Sequence, residues 1–378
     1  MGKKIDIEIV DVTESLGHNK WRGSIFCFGG KRKMATDKKS LEATLKAIRK
    51  TYGEGSIFWL DGRGHPARKI EVIPTGCLAL DIALGAGGFP RGRIIEIFGG
   101  EGVGKSSMCL HAIAAVQQRG GTAAFIDVEN SLDPGYSEAL GVNLGDVLIT
   151  QPDSGEQAMD IADKLIRSGD IDIVVIDSVA ALLPRAELAG QIGDAHVGLQ
   201  ARLVSQSCRI LSSAIAKSNT MVILTNQMRS KIATSRFGPT TTTSGGMALG
   251  YYASVRLQLW AYGKIEDGDD KIGAHVKVRV VKNKIAPPFR EAEFDLIFGR
   301  GIVRSLDLIN TGKAVGVVEQ KGAWISFEDE NIGQGLLKSS KALEDDVDLA
   351  NRLEDSIREK AGLPLRFVED LSEEANNE

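Results

Sequence analysis

Ile94-Ile95-Glu96-Ile97-Phe98-Gly99-Gly100-Glu101-Gly102-Val103-Gly104-Lys105-Ser106-Ser107 decides how the 378-residue chain is read. A short apolar run passes directly into GxxxxGK[ST], the strand, phosphate-binding loop and helix start of a P-loop. Its glycines, Gly99, Gly100, Gly102 and Gly104, let backbone N–H groups wrap a phosphate, with Glu101 and Val103 completing the loop. The helix beginning near Lys105 turns its positive end toward the same anion. Lys105 is placed to reach β- and γ-phosphates, and the Ser106 hydroxyl to bind Mg²⁺, with Ser107 following.

Outward from the loop, apolar runs alternate with helical patterns. Candidate strands are Ile94–Phe98, Ala123–Asp127, Ile171–Asp177 and Met221–Thr225, short and largely apolar as in a parallel sheet covered on both faces. Between them, Ser154 with Gln157 three residues on reads as a capping box. Asp133-Pro134 up to Gly141 reads as an N-cap, a first-turn proline and a terminating glycine. This is an α/β core. Asp177 ends a buried strand and fits a Mg²⁺-holding acid, or else a cap of the next helix. Glu129, beyond the Asp127 strand tip, fits a general base or a solvated loop glutamate. Gln227 follows the Met221–Thr225 strand, within reach of a γ-phosphate.

After residue 250 the apolar period becomes two: Val255, Leu257 and Leu259, then Val276, Val278 and Val280, then Ala292, Phe294, Leu296 and Phe298. These are expected to be antiparallel strands added to the parallel sheet. From 303 to 343 a smaller α+β region begins, and 344–378 reads as helical and then as an acidic tail. Met228–Met247 is a run of nearly twenty residues without periodicity, which inside a compact core points to function or to a solvated loop. It carries Arg229, Lys231 and Arg236, many hydroxyls and no acid, a composition suited to a phosphodiester backbone. Pro184–Gly198 is a second such segment, and Arg202 and Arg209 after it share one helical face.

Composition narrows the classes. The formal charge is -4, charged residues make up 25% and aromatics 6%, so a surface built mainly on base-stacking aromatics is not expected. The charge is unevenly spread: residues 1–33 carry seven Lys/Arg and four Asp/Glu, residues 344–378 carry four and twelve, and the body is left at +1. The acidic total therefore does not exclude nucleic acid. No stretch approaches 18 consecutive apolar residues, which excludes a transmembrane helix. Cys27, Cys77, Cys109 and Cys208 are scattered and form neither a zinc pattern nor a disulfide framework, so a reduced, cytoplasmic setting is expected. Residues 1–33 read as a disordered leader, a mis-assigned start ahead of Met34, or a basic arm that touches DNA.

Taken together the motifs resemble the RecA family of bacterial recombinases, over about 80% of the chain from Met34 to Gly335. The resemblance rests on Thr75-Gly76-Cys77-Leu78-Ala79-Leu80-Asp81, Phe125-Ile126-Asp127-Val128-Glu129, Gln151-Pro152-Asp153, Val175–Leu182, Ile192-Gly193-Asp194 and Val281-Lys282-Asn283-Lys284. Gly322-Ala323-Trp324 and Ile332–Gly335 extend it and argue against a hexameric helicase on the same core. It implies a RecA-type P-loop ATPase core (67–302) with a mixed, mainly parallel sheet, and small N-terminal (34–66) and C-terminal α+β domains. It implies an ATP- and Mg²⁺-dependent helical homo-filament on single-stranded DNA that pairs with double-stranded DNA, and a coprotease role toward an SOS repressor.

By the same resemblance Glu129 is the catalytic glutamate, Gln227 the γ-phosphate sensor, and Asp133 and Tyr136 lie at the adenine. Lys282 and Lys284 reach a neighbour's nucleotide. Arg202, Ser205, Arg209, Lys231, Ile232, Gly245 and Gly246 contact DNA. Helix Leu41–Lys50 and strand Ser56–Leu60 dock on the next subunit. The chain departs from the family at several points. Gly100-Glu101-Gly102-Val103 replaces Pro-Glu-Ser-Ser, and Ser106-Ser107 a threonine pair. Asn130 stands where histidine is common, and Gly250 and Tyr251 replace a lysine and a phenylalanine. These changes raise the alternative of a paralogue that binds ATP and DNA with weak strand exchange. The acidic tail reads either as solvated terminus or as a movable competitor for basic DNA surfaces.

Overall fold

The computed structural model describes residues 38–57, 59, 70–191, 198–230 and 241–365. The chain divides into two units, residues 1–69 and 70–378. In the first, helix α1 (Lys38–Tyr52) places Leu41, Leu45 and Ile48 on one half-buried face. Arg49 and Lys50 lie in its last turn, where cations complement the helix dipole. The strand expected from Ser56 is corrected at its start: Ser56 closes a 3₁₀ turn, Glu54–Ser56, behind Gly53, and only Ile57 turns extended. The leader 1–33 lies outside the described residues.

The second unit opens with a small ribbon, β1 (Val72–Ile73) and β2 (Phe89–Pro90), around helix α2 (Leu78–Leu84). Then come β3 (Ile94–Gly99), α3 (Lys105–Gln117), β4 (Ala123–Asp127), α4 (Pro134–Ala139), β5 (Val147–Thr150) and α5 (Gly155–Ser168). They are followed by β6 (Ile173–Asp177), α6 (Arg185–Leu188), α7 (Leu199–Ser218), β7 (Met221–Ser230), β8 (Thr241–Thr243), α8 (Ala248–Tyr252) and β9 (Val255–Asp267). The caps read from the sequence form: Ser154 Oγ accepts from Gln157 N at 3.2 Å, and Asp133 Oδ1 from Tyr136 N at 2.9 Å. The Gln157 side chain reaches one residue past the cap, accepting from Asp153 N at 3.1 Å.

Strands β10 (Asp270–Asn283), β11 (Glu291–Ile297) and β12 (Gly301–Ile302) complete a ten-stranded sheet of order β12-β11-β10-β9-β3-β7-β6-β4-β5, with β8 paired to β7. Six strands, β9 through β5 in that order, are mutually parallel. The expectation of antiparallel addition after residue 250 therefore holds for β10, β11 and β12 but not for β9, which lies parallel to β3 with Ile95 opposite Val255. The alternating pattern reports only which face is buried; the α8 crossover sets the direction.

Alternate residues of each parallel strand enter opposite cores. Ile95, Ile97, Phe125, Ile173, Val175 and Ile223 pack with α3 on one face. Ile94, Ala124, Ile126, Val174, Ile176, Val222 and Leu224 pack with α5 and α7 on the other. Each such buried aliphatic side chain contributes about 1.5–3 kcal/mol, so β3 and β6 are held as a fixed platform.

Beyond the sheet, α9 (Arg304–Val315), β13 (Glu319–Lys321), β14 (Trp324–Phe327), β15 (Glu330–Gln334), α10 (Leu336–Asp345) and α11 (Val347–Lys360) form the C-terminal domain. Its core holds Leu308, Ile309, Ile325, Phe327, Leu343, Ala350, Leu353 and Ile357. The boundary expected after residue 343 falls inside α10, and α11 buries its apolar face in this core, so the packed domain extends to Leu363. The rest of the acidic tail, from 366, lies outside the described residues.

Candidate nucleotide site and DNA-facing loops

Parallel pairing brings the polar ends of four strands to one edge. Gly99 lies opposite Gln227, and Asp127 opposite Asp177. Such an edge, outside the carboxyl ends of parallel strands, is where α/β sheets hold ligands. The phosphate loop turns into α3 at Gly104, whose φ of +85° is left-handed. A Cβ there would also approach Leu296 Cδ2 to 3.0 Å, so glycine is required twice over.

Ser106 Oγ donates to Asp177 Oδ2 at 2.6 Å, and Thr225 Oγ1 donates to Asp177 Oδ1. Burial pushes the Asp177 carboxyl up, and the hydrogen bonds from Ser106 and Thr225 pull it back. A hydroxyl and a carboxylate converging at the loop end are the hard oxygen donors that suit Mg²⁺. Lys105 Nζ donates to Gly100 O at 2.6 Å, folding over the loop, and burial lowers its pKa against the attraction of Asp177 and Glu129. Beside the loop is a cavity of about 350 Å³ lined by Gly102 to Ser107, Tyr136 and Leu296 to Gly299. Tyr136 reaches it through a 2.7 Å hydrogen bond between its hydroxyl and Ser107 Oγ. The residues present thus fit a nucleoside triphosphate with a divalent cation.

Glu129 and Gln227 are brought together: Gln227 Nε2 donates to Glu129 Oε1 at 3.2 Å, and Ser178 Oγ donates to the same oxygen. Asp127 serves scaffolding, accepting from Ser131 N, Leu132 N and Gln151 Nε2 and so fixing the loop that carries Glu129. Asp133 caps α4 and places Tyr136. Lys282 and Lys284 lie elsewhere: Lys282 Nζ donates to Gly250 O and Tyr251 O at 2.7 and 2.9 Å, and Lys284 is exposed.

On α7, Arg202, Ser205 and Arg209 are all exposed, while Val204, Ser207, Cys208 and Leu211 face the core. Gly245 is buried and Gly246 exposed at the return of the second loop. That loop is not structureless at its base, contrary to expectation. Met228, Arg229 and Ser230 pair with Thr243, Thr242 and Thr241 as an antiparallel ribbon. The three threonines are β-branched and favour this extended pairing, which the hydroxyl-rich composition concealed. Lys231 and Ile232, and residues 192–197 of the first loop, lie outside the described residues.

Sequence reasoning missed Ser178, Thr225 and the Leu296–Gly299 cavity wall. Thr225 was detectable as the polar end of an apolar strand. Nothing local marks residues almost two hundred positions from the loop as its wall.

Two family models cover nearly the whole described chain: the RecA N-terminal domain matches residues 39–303 and the RecA C-terminal domain residues 306–362. Curated relatives carry the name Protein RecA. That of Gluconacetobacter polyoxogenes is 52% identical over 325 residues, 86% of this chain and 92% of the relative. Those of Saccharopolyspora erythraea and Thioalkalivibrio sulfidiphilus are each 52% identical, covering 86% and 87% of this chain and 93% and 95% of theirs. With the phosphate loop, the acidic strand tips and the mainly parallel sheet, these matches place the chain in the RecA family of DNA-dependent ATPases and recombinases.

Proposed function

We propose that the chain binds ATP with Mg²⁺ at the β3–α3 loop and couples its hydrolysis to strand exchange, with Glu129 as general base. The carrying observation is the Glu129–Gln227 hydrogen bond at 3.2 Å, beside the Ser106–Asp177 pair. In this reading Glu129 takes a proton from the attacking water, and Gln227 orients that carboxylate and registers the γ-phosphate. Lys105 offsets charge on the β- and γ-phosphates, Ser106 and Asp177 hold Mg²⁺, and Asp133 and Tyr136 flank the adenine. Mg²⁺ would neutralise charge on the transferring phosphoryl group.

Arg202, Ser205, Arg209, Lys231, Ile232, Gly245 and Gly246 are assigned to single-stranded DNA, a grip through backbone and loops. Lys282 and Lys284, held away from their own subunit's loop, are assigned to the nucleotide of the next subunit. Head-to-tail contacts of this kind do not close and produce the helical filament of the family. Residues 34–66 are assigned to filament docking. A repressor of the SOS response as a further partner, and a cytoplasmic location, complete the reading; among the described residues no helix is long and apolar enough to cross a membrane.

The paralogue alternative is disfavoured by about 50% identity over most of the chain. Formation of a joint molecule (D-loop) between single-stranded DNA and a homologous supercoiled duplex, beside the ATPase rate, tests the reading. Product that depends on ATP and Mg²⁺ is expected. DNA-stimulated hydrolysis without joint molecules would overturn it in favour of the paralogue.

A further inference from the structure

Glu96 is wholly buried in the middle of β3, the strand that delivers the phosphate loop. A carboxylate there is costly unless paired and hydrogen-bonded, and both oxygens are occupied. Arg256 Nε, from β9, donates to Oε2, and Asn226 Nδ2, from β7, donates to Oε1 at 3.1 Å. Asn226, equally buried, uses its whole amide group. Nδ2 donates a second time to Ser244 O at 3.0 Å, and Oδ1 accepts from Gln227 N at 2.9 Å.

One side chain therefore joins three things: the phosphate-loop strand, the residue bonded to Glu129, and the root of the second loop. The root is tightly seated. Gly245 has φ +76°, and a Cβ on it would stand 2.9 Å from Val179 Cγ1 and 3.2 Å from Val204 Cγ2. Val204 is on α7, between the exposed Arg202 and Arg209. The Ser244 hydroxyl beside it is buried without a hydrogen-bond partner among the described residues. The root thus carries a buried polar group that the present arrangement leaves unpaired. On the other side, the Arg256 guanidinium lies against Gly250, where an added Cβ would be 3.3 Å from Cζ, and the Gly250 carbonyl holds Lys282.

We infer that Asn226, braced by Glu96 and Arg256, is a positioning residue that links occupancy of the nucleotide site to the arrangement of the DNA-loop root. The inference rests on the functional reading above. Neither Asn226 nor Glu96 touches substrate. A shift of the Gln227 backbone that accompanies its side chain's engagement of a phosphate would pull on Asn226 and through it on Ser244. Glu96 fixes the pivot.

The linkage is reciprocal and is read as one number: the factor by which a non-hydrolysable ATP analogue tightens binding of single-stranded oligonucleotide. The wild-type factor is compared with those of Asn226→Ala and Glu96→Gln, each checked for folding by thermal melting and for analogue affinity without DNA. Both variants are expected to bind the analogue within about threefold of wild type while the factor falls about tenfold or more. A factor unchanged in either folded variant overturns the inference and leaves the functional reading standing. A wild-type factor of one overturns that reading, and the inference with it. A variant that loses analogue binding and DNA binding together would show a merely structural role.

Discussion

At the carboxyl edge of the large sheet, Asp177 divides its oxygens between Ser106 and Thr225, while Glu129 and Gln227 stay exposed. At the junction of the core with the C-terminal domain, Asp81 and Asp307 are almost wholly buried. Asp307, on α9, accepts from Leu78 N and Ala79 N and so caps α2, whose own N-cap residue Cys77 has no side-chain cap bond. Asp81 accepts from Thr75 N and Oγ1 and from Arg358 of α11. Burial raises Asp81 to about 7 and Asp307 to about 6. The same residue type thus serves opposite ends. Asp177 is as buried as Asp81 and Asp307, but its partners are two hydroxyls, which a cation could displace. At the junction the partners include backbone amides and a guanidinium that tie separate elements together.

If the strand tips serve chemistry and the junction serves stability, substitutions should separate them. The largest effect falls on turnover. Lys105→Ala is expected to abolish nucleotide binding, whereas Glu129→Gln keeps binding and loses about 10²–10⁴-fold in rate; fluorescent-nucleotide titration beside a phosphate-release assay reads both. Neither should shift the melting curve by more than about 1 kcal/mol. Normal turnover in the glutamine variant would place the base elsewhere.

Next comes Asp307→Ala, which leaves the start of α2 uncapped and the Thr311 hydroxyl without its acceptor. A loss of about 2–4 kcal/mol in denaturant unfolding is expected, with nucleotide affinity retained. The smallest effect is a pH dependence. His111 Nε2 accepts from Ile302 N at 2.9 Å, and burial lowers its pKa to about 4. A base whose folded pKa lies below its ordinary 6.5 gives stability that is present above pH 6.5 and lost as pH falls toward 4. The acids at the junction act in the opposite sense, their contribution being lost as pH rises through 6 to 7. Comparing His111→Gln with wild type at pH 7 and pH 4 isolates the histidine. The wild-type advantage should shrink by up to about 3 kcal/mol; a constant difference would remove His111 from the pH response.

The two regions were also unequally visible in the sequence. The phosphate loop is a local message, because eight consecutive residues, Gly99 to Ser106, supply its whole backbone geometry. Asp177 and Glu129 announce themselves as acids at the ends of apolar strands. The junction is written in fragments: Leu78, Asp307 and Arg358 are more than two hundred positions apart at the extremes, and no periodicity links them. Glu96 was visible as a lone carboxylate within an apolar strand, yet its partners Asn226 and Arg256 arrive on strands far along the chain. The direction of β9 was illegible because alternation is the same for parallel and antiparallel partners. The threonine ribbon was misread because hydroxyls suit both loops and strands.

The order of the sheet also sets a schedule for synthesis. Both neighbours of β3 come late, β7 from Met221 and β9 from Val255. A ribosome adding about 5–20 residues per second finishes β3 on the order of ten seconds before its second neighbour exists. Until β7 emerges the glycine loop has no parallel partner on either side, and until β9 emerges it has only one. The nucleotide site is thus among the last parts of the core to become possible, although its phosphate loop lies in the first third made.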